Sequence, residues 1–258
     1  MPRTADEEQR LVKRLRELSR RHPRYGYRRI TALLQEEGWR VNRKRVRRLW
    51  RQEGLKVPRK RRKKRRLGSS VNAASRYRAE HPNHVWSYDF IEDQTADGRR
   101  LKILPIVDEF TRECLTIEVE RHMTGQDVVA TLRFLFELRG PPEHLRSDNG
   151  PEFIAQVVKD WLKDSAVGTL YIEPGSPWEN PYSESFNSRF RDELLDREVF
   201  ETLAEAKVLI EDFRLDYDHR RPHSALGYRT PAAFAAMWTA EQVAPGEPPA
   251  LDPQAILS

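Results

Sequence analysis

The sequence LRSDNGPEF at Leu145–Phe153 decides the fold of most of this chain. Asp148 stands where a short strand-like run meets the turn signal Asn-Gly, and the proline that follows suits the first position of a helix. The pattern therefore predicts a strand-to-helix connection with Asp148 at the carboxyl end of the strand. Ligands of open α/β sheets bind at that place, so Asp148 is a candidate site residue.

Two further acidic residues are candidates for the same site. Glu184 lies in a predicted helix, SESFNSRFR at Ser183–Arg191, with thirty-five residues between it and Asp148. Asp89 interrupts the alternating strand pattern HVWSYDFI. Carboxylates from three separate elements can converge on hard divalent cations, which prefer oxygen ligands. The acids that compete for these roles are Asp93 and Asp108, the latter expected to cap a turn, and Glu179, Asp192 and Glu193.

The ordered set of motifs resembles the DDE catalytic core of retroviral-integrase-like transposases of bacterial insertion sequences. The resemblance rests on Asp89, Asp148 and Glu184 at this spacing, on ESFNSRFRDEL from Glu184 onward, and on the tail YDHRRPHSALGYRTP at Tyr217–Pro231. It covers roughly residues 8 to 240, and it is closest to the second-reading-frame (OrfB-type) product of that family. The fold that it implies is ribonuclease-H-like.

The resemblance also implies an activity, which is cleavage of the ends of an insertion element and strand transfer by a two-metal mechanism. Asp89, Asp148 and Glu184 would be both catalytic residues and metal ligands for two Mg²⁺ ions, with Mn²⁺ as a substitute. The implied partners are DNA (terminal inverted repeats and target DNA), further copies of the chain on paired ends, and an upstream-frame (OrfA-type) product. The alternatives are a catalytically silent DNA-binding regulator of transposition and a structure-directed nuclease of the same fold.

The residues after Glu184 are candidates for DNA contact. Asn187 and Arg191 follow it by three and seven residues, so all three share one face of a regular helix. Arg191 matches a basic position with which the family holds transposon-end DNA, and an ion pair with a neighbouring acid is the alternative. The motif from His219 to Tyr228 has two open interpretations, which are packing against the core and contact with DNA.

Charge is distributed unevenly along the chain. Residues 1–80 carry 28 Lys and Arg against 8 Asp and Glu, a net charge of +20, whereas the remainder carries 18 against 32, a net charge of −14. This asymmetry predicts a polyanion-binding arm on an acidic body. Three short predicted helices, of which the last is basic, favour a helix-turn-helix, although a bundle that grips phosphates without reading bases remains the alternative. The arm residues predicted to contact DNA are Arg43, Lys44, Arg47, Arg48 and Arg51 in the third helix and Arg59, Lys60, Arg61, Arg62, Lys63, Lys64, Arg65 and Arg66 after it.

The order of predicted elements gives the fold class, α/β, with a ribonuclease-H-like mixed sheet and flanking helices preceded by a small all-α helix-turn-helix domain. Strands are expected at 85–92, 101–107, 114–120, before Asp148 and at 168–172, and helices at 7–20, 27–37, from 42, 125–138, 151–164, 181–197, 203–218 and 232–238. The expected domains are a helix-turn-helix at 1–57, a basic linker at 58–80, the catalytic core at 81–200, its C-terminal helical extension at 201–243 and a disordered tail at 244–258.

Composition excludes several other classes of protein. The single cysteine, Cys114, cannot form a disulfide framework or a Cys/His zinc module, which fits a reducing compartment. The sequence has no run of eighteen apolar residues, so no membrane span is expected. The charged start of the chain lacks the apolar region of a signal peptide. The expected location is therefore the cytoplasm.

Overall fold

The computed structural model describes residues 5–58, 78–147, 156–171 and 181–243. The chain divides into two compact units, one built on the three N-terminal helices, with residues 222–229 grouped with them, and one built on a β-sheet. Within the described ranges, no helix combines the length and the apolar character that a membrane span requires. The predicted basic block at 59–66 and the predicted tail lie outside these ranges.

The helical unit forms a core from residues at helical spacing. Its helices are α1 (Ala5–Arg21), α2 (Tyr27–Glu36) and α3 (Arg43–Gln52). Leucines of α1 pack against α2 and against the inner face of α3, where Trp50 is buried. The predicted cap of α3 is confirmed, because the Asn42 side chain accepts a hydrogen bond from the backbone N–H of Arg45 at 2.8 Å.

The second unit is a mixed α/β domain, which confirms the predicted fold class. The predicted bounds of five of its elements agree with the structure to within two residues, whereas the last helix, predicted at 232–238, extends to Val243. The strands are β1 (Val85–Tyr88), β2 (Ile91–Gln94), β3 (Arg100–Asp108), β4 (Cys114–Glu120), β5 (His144–Ser147) and β6 (Gly168–Tyr171), and the helices are α4 (Gly125–Arg139), α5 (Gln156–Asp164), α6 (Pro181–Phe190), α7 (Leu203–His219) and α8 (Pro231–Val243).

The position of β1 in the sheet determines where a site can form. It pairs antiparallel with β3, with Trp86 opposite Asp108, and parallel with β5, with Ser87 beside Arg146. β4 pairs with β3, and β6 pairs in parallel with β5. One hydrophobic cluster joins the sheet to α4 and α5, and a second joins it to α6 and α7. The carboxyl end of β1 therefore lies in a sheet on which two pairs of helices pack, each through its own hydrophobic cluster.

The prediction of one continuous strand at 85–92 was wrong. The strand is broken at Asp89 and Phe90, and its two halves are β1 and β2. The register is nevertheless continuous, because Tyr88 lies opposite Ile106 and Ile91 opposite Ile103 on the same neighbouring strand. That register puts Pro105 opposite Asp89, and a proline nitrogen has no hydrogen to donate to a ladder. Asp89 therefore lies at an interruption of the hydrogen-bond ladder.

The prediction of one regular helix at 181–197 was also wrong. α6 ends at Phe190 and continues as a π-helical turn, Arg191–Leu195. The backbone N–H of Asp196 donates to the carbonyl of Arg191, five residues earlier, at 2.8 Å. Phe190 and Leu195 are both buried although they lie five residues apart, and a turn widened to an i, i+5 bond brings such a pair to one face. Packing of this pair explains the change of helix type.

Candidate active site

The structure brings two of the three candidate acids to neighbouring elements. Asp89 follows β1, and Glu184 lies in the first turn of α6. The amide Nδ2 of Asn187 donates a hydrogen bond to Oδ2 of Asp89 at 2.9 Å. Glu184 lies three residues before Asn187 and is exposed, so both project from the same side of the helix. The third acid, Asp148, lies outside the described residues.

Aromatic packing orients α6 toward β1. Phe186 and Phe190 lie four residues apart and are fully buried. The Phe186 ring centroid is 4.9 Å from that of Tyr217, and the Phe190 centroid is 5.0 Å from that of Phe213. Both partners belong to α7, so one face of α6 packs on that helix. The face that carries Asn187 is thereby directed to Asp89.

The position of Arg191 differs from the one predicted for a regular α-helix. It is the first residue of the π-helical turn, and its Nη2 donates to the backbone carbonyl of Glu92 at 3.3 Å. The residue is exposed, so its guanidinium is accessible while it contacts β2. Asn187, which was predicted to contact DNA, has its amide nitrogen committed to Asp89.

The acids that compete for the site have other contacts. Asp108 is buried and accepts backbone hydrogen bonds from Asn83, Phe110 and Thr111 at 2.8 to 2.9 Å, which confirms its predicted place in a turn. Asp93 accepts a bond from the neighbouring backbone N–H at 2.8 Å. Neither contact directs a carboxylate to the end of β1.

A buried ion pair that includes Arg146, two residues before Asp148 in the sequence, was missed by the sequence analysis. Nε of Arg146 lies 2.8 Å from Oε1 of Glu109, and both side chains are more than nine-tenths buried. Burial raises the pKa of Glu109 to about 7, against the opposing effect of the guanidinium. Arg146 lies two residues before Asp148, so this pair fixes the strand that leads to it. The only signal in the sequence was an arginine inside a short buried strand.

Arg221, from the C-terminal motif, is buried in the core of the catalytic domain. This side chain is 1% exposed and contacts Glu193 through two nitrogen–oxygen pairs, at 2.8 and 2.6 Å. His223 is also buried, and its backbone closes a tight loop through bonds with Arg229 and Tyr228. Of the two interpretations left open for this motif, packing describes Arg221.

The basic face of the helical unit is open to solvent. Arg45 is the exception, because its side chain is buried and its guanidinium nitrogens lie 3.4 Å from Glu7 and 3.5 Å from Glu8. Glu8 also pairs with Arg48 at 2.9 Å. The basic block after α3 lies outside the described residues. The predicted contact residues of α3, all exposed, are Arg43, Lys44, Arg47, Arg48 and Arg51.

The described residues contain one cluster with the composition of a metal site, and it lies at the opposite end of β1. It consists of His81, His84 and Glu143. Nδ1 of His84 accepts the backbone N–H of Glu80 at 3.0 Å, so the proton of a neutral His84 ring is on Nε2. Nε2 faces Glu143 at 3.7 Å. A metal ligand needs a lone pair on the ligating nitrogen, so Nε2 of a neutral His84 is not available as a ligand in this geometry.

Known protein families match both the helical unit and the α/β unit of the chain. A family described as Integrase core domain matches residues 79–177, a second model of the same description matches 165–231, and an HTH-like domain matches 6–63. The chain is 41% identical to the insertion element IS407 uncharacterized 31.7 kDa protein of Burkholderia multivorans, over 91% of this chain and 84% of that protein. It is 28% identical to the transposase for insertion sequence element IS904 of Lactococcus lactis, over 82% of this chain and 87% of that protein.

A solved structure shares the fold. It is a chain in the cryo-EM structure of the simian T-cell lymphotropic virus intasome in complex with PP2A regulatory subunit B56 gamma. The TM-score is 0.54 at 15% identity, over 83% of this chain and 72% of that chain. From these matches and the fold, the chain belongs to the insertion-sequence family of transposases with an integrase core.

Proposed function

We propose that this chain is the catalytic polypeptide of an insertion element, which cuts a 3′ end and joins it to DNA through Asp89, Asp148 and Glu184. The observation that carries the proposal is the 2.9 Å hydrogen bond from Asn187 to Asp89, because it brings the helix of Glu184 to the end of β1. The parallel register of β1 and β5 supports a place for Asp148 at the same end of the sheet.

The donor set around Asp89 fits a divalent metal ion. Carboxylate and amide oxygens are the ligands that Mg²⁺ prefers. Oδ1 of Asn187 is buried and has no hydrogen-bond partner among the described residues, and a metal-bound water would satisfy it. We therefore propose two Mg²⁺ ions, with Mn²⁺ as a substitute. When bound, such a pair activates the attacking water or 3′-hydroxyl and stabilises the charge on the leaving oxygen.

The side chains then have distinct roles. Asp89, Asp148 and Glu184 would together hold the two ions. Asn187 holds the Asp89 carboxylate in one orientation through its donated hydrogen bond. Glu184 is exposed, so its carboxylate is accessible to a metal ion that would also bind DNA phosphates. Arg191, exposed on the following turn, is proposed to hold the end of the element by its positive charge.

The partners follow from the two units. The exposed basic face of α3 and the basic block at 59–66 are proposed to bind the terminal inverted repeats, and the catalytic domain to bind target DNA. One site acting on one end cannot synchronise two ends, so we propose that copies of the chain assemble on paired ends. An upstream-frame (OrfA-type) product is a further proposed partner, and the cytoplasm is the proposed location.

Substitution of the three acids tests the proposal. Asp89→Asn, Asp148→Asn and Glu184→Gln should each abolish cleavage and joining of end DNA in Mg²⁺, while binding to DNA survives. Asp93→Asn, on the neighbouring strand, is the matched control and should keep activity. Near-normal joining by any of the three variants would remove that residue from the site. Binding without any joining by the unaltered chain would favour the catalytically silent regulator, and cleavage governed by DNA shape alone would favour the nuclease.

A further inference from the structure

Arg221 makes a two-point ion pair in the interior of the catalytic domain. It follows α7 and is 1% exposed. Its Nε lies 2.8 Å from Oε2 of Glu193, and its Nη2 lies 2.6 Å from Oε1. A guanidinium that meets both oxygens of one carboxylate fixes its partner in direction as well as in distance. The position of Glu193 is therefore set by Arg221.

Glu193 belongs to the element that carries the candidate site. It lies in the π-helical turn that continues α6, nine residues after Glu184. The π-helical turn is a rare form of helix and persists where side chains hold it. The buried pair with Arg221 is such a contact, and it acts at the end of α6 opposite to Glu184. A shift of this turn would rotate or slide the whole helix.

A second contact joins Arg221 to the middle of α6. The guanidinium of Arg221 lies 5.3 Å from the ring centroid of Tyr217, which is buried. The Tyr217 ring lies 4.9 Å from that of Phe186. Phe186 immediately precedes Asn187, the donor to Asp89. Arg221 therefore touches α6 through Glu193 at its end and through Tyr217 next to the residue that contacts Asp89.

The surrounding charges make Glu193 difficult to replace. Arg189, one turn earlier, is partly buried, and desolvation lowers its pKa while nearby groups, among them the Glu193 carboxylate, oppose that effect. Glu193 thus pairs directly with the buried guanidinium of Arg221 and also acts through its charge on Arg189. A buried charge that loses its partner is strongly unfavourable, so the chain must keep this arrangement or move the helix.

From these contacts we propose that Arg221 is a positioning residue for the active site, which acts through Glu193 to hold Glu184 and Asn187 against Asp89. The inference rests on the proposed function, and it gives the arginine before Pro222 in the C-terminal motif a defined role. The expected consequence is specific. Loosening of α6 should weaken the binding of divalent metal while leaving the DNA-binding face of α3 unaffected.

The experiment compares variants of the full chain. They are Arg221→Met, Arg221→Lys, which keeps the charge but not the two-point geometry, and Glu193→Gln. Arg214→Met is the matched control, because Arg214 lies on the same helix α7 and pairs with Glu211 and Asp218 rather than with α6. Folding is checked by circular dichroism and thermal unfolding. If Arg221→Met does not fold, the lysine and glutamine variants and the exchange E193R/R221E carry the test.

Two readouts separate positioning from general stability. The first is the Mg²⁺ concentration that gives half-maximal joining, and the second is Mn²⁺ binding without DNA, followed by the loss of the free-ion electron paramagnetic resonance signal. Folded Arg221 and Glu193 variants should need about 10-fold to 100-fold more Mg²⁺ and should bind Mn²⁺ more weakly. Arg221→Lys should fall between wild type and Arg221→Met. The Arg214 control should match wild type in both measurements.

The outcomes distinguish the two proposals. Wild-type metal dependence in the folded Arg221 and Glu193 variants, or an equal shift in the Arg214 control, would overturn the positioning role and leave Arg221 as a packing residue. Glu184→Gln is included in the same series. If it joins DNA normally, the proposed function fails whatever Arg221 does, whereas an inactive Glu184→Gln beside unaffected Arg221 variants defeats the positioning role alone.

Discussion

Replacement of Asn187 with alanine removes a hydrogen bond between α6 and Asp89. The amide donates to a carboxylate over 2.9 Å, and a hydrogen bond to a charged group contributes about 1.5–3 kcal/mol. If the bond orients Asp89 in the transition state, its full loss corresponds to a rate decrease of roughly 10-fold to 100-fold. Asn187→Asp should be slower still, because it puts a second carboxylate beside Asp89.

The assay is single-turnover joining of a pre-cut end in Mg²⁺, with end-DNA binding measured in parallel. Ser188→Ala changes the adjacent position and leaves the Asn187 amide in place, so it should join at the wild-type rate. Joining by folded Asn187→Ala within about twofold of wild type would refute the reasoning, since that is far below the effect expected for a charge-assisted bond. An equal loss of DNA binding and of joining would instead support the assignment of Asn187 to DNA contact.

Four other predictions concern stability, binding and assembly. Burial raises the pKa of Asp218 from 3.8 to about 8, so the folded state binds the proton more tightly than the unfolded state does. The free energy of unfolding should therefore fall as pH rises from about 4 to 8, by at most about 1.4 kcal/mol per pH unit. Urea unfolding of Asp218→Asn should show a flatter pH dependence than wild type, and an unchanged slope would contradict this. Asn42→Ala should lose about 1 kcal/mol of stability in the helical unit through the lost cap, and an unaltered unfolding midpoint would argue against it. Arg47→Ala should reduce the salt slope of DNA binding by about one, whereas Lys13→Ala, which removes an exposed charge from α1, should not. Equal slopes in the two variants would count against the α3 face. A chain without residues 1–80, mixed with Glu184→Gln, should recover joining if the arm of one copy holds the end that another cuts, and an inactive mixture with proven co-assembly rules out that arrangement.

Local patterns were sufficient to predict most of the fold. The bounds of β4 were predicted to the residue, because its apolar positions alternate and turns flank it. The Asn42 cap was predicted because a capping side chain acts only three residues away. The candidate acids Asp89 and Glu184 were found by spacing and resemblance, and the structure brings their elements together through Asn187.

The features that were not predicted depend on distant partners. The break at Asp89 follows from Pro105, which lies on another strand, and no local pattern around Asp89 reveals it. The π-helical turn depends on burial of Leu195 as well as Phe190 against α7 and the sheet. The pair of Arg221 with Glu193 joins residues whose sequence separation is 28. Several acids lie near each arginine of the motif, so the sequence could not select one.

The place of β1 between β3 and β5 has a consequence for chains that are incompletely synthesised. Eleven residues lie between β1 and β3, but fifty-five lie between β1 and β5, and a longer loop costs more entropy to close. Domains fold in order as they leave the ribosome, so the helices of the N-terminal unit are complete long before Glu184 has been translated. Under the proposed function, a polypeptide that stops before α6 would occupy element ends without the means to cut them. Premature termination would therefore produce a competitive inhibitor of the complete enzyme.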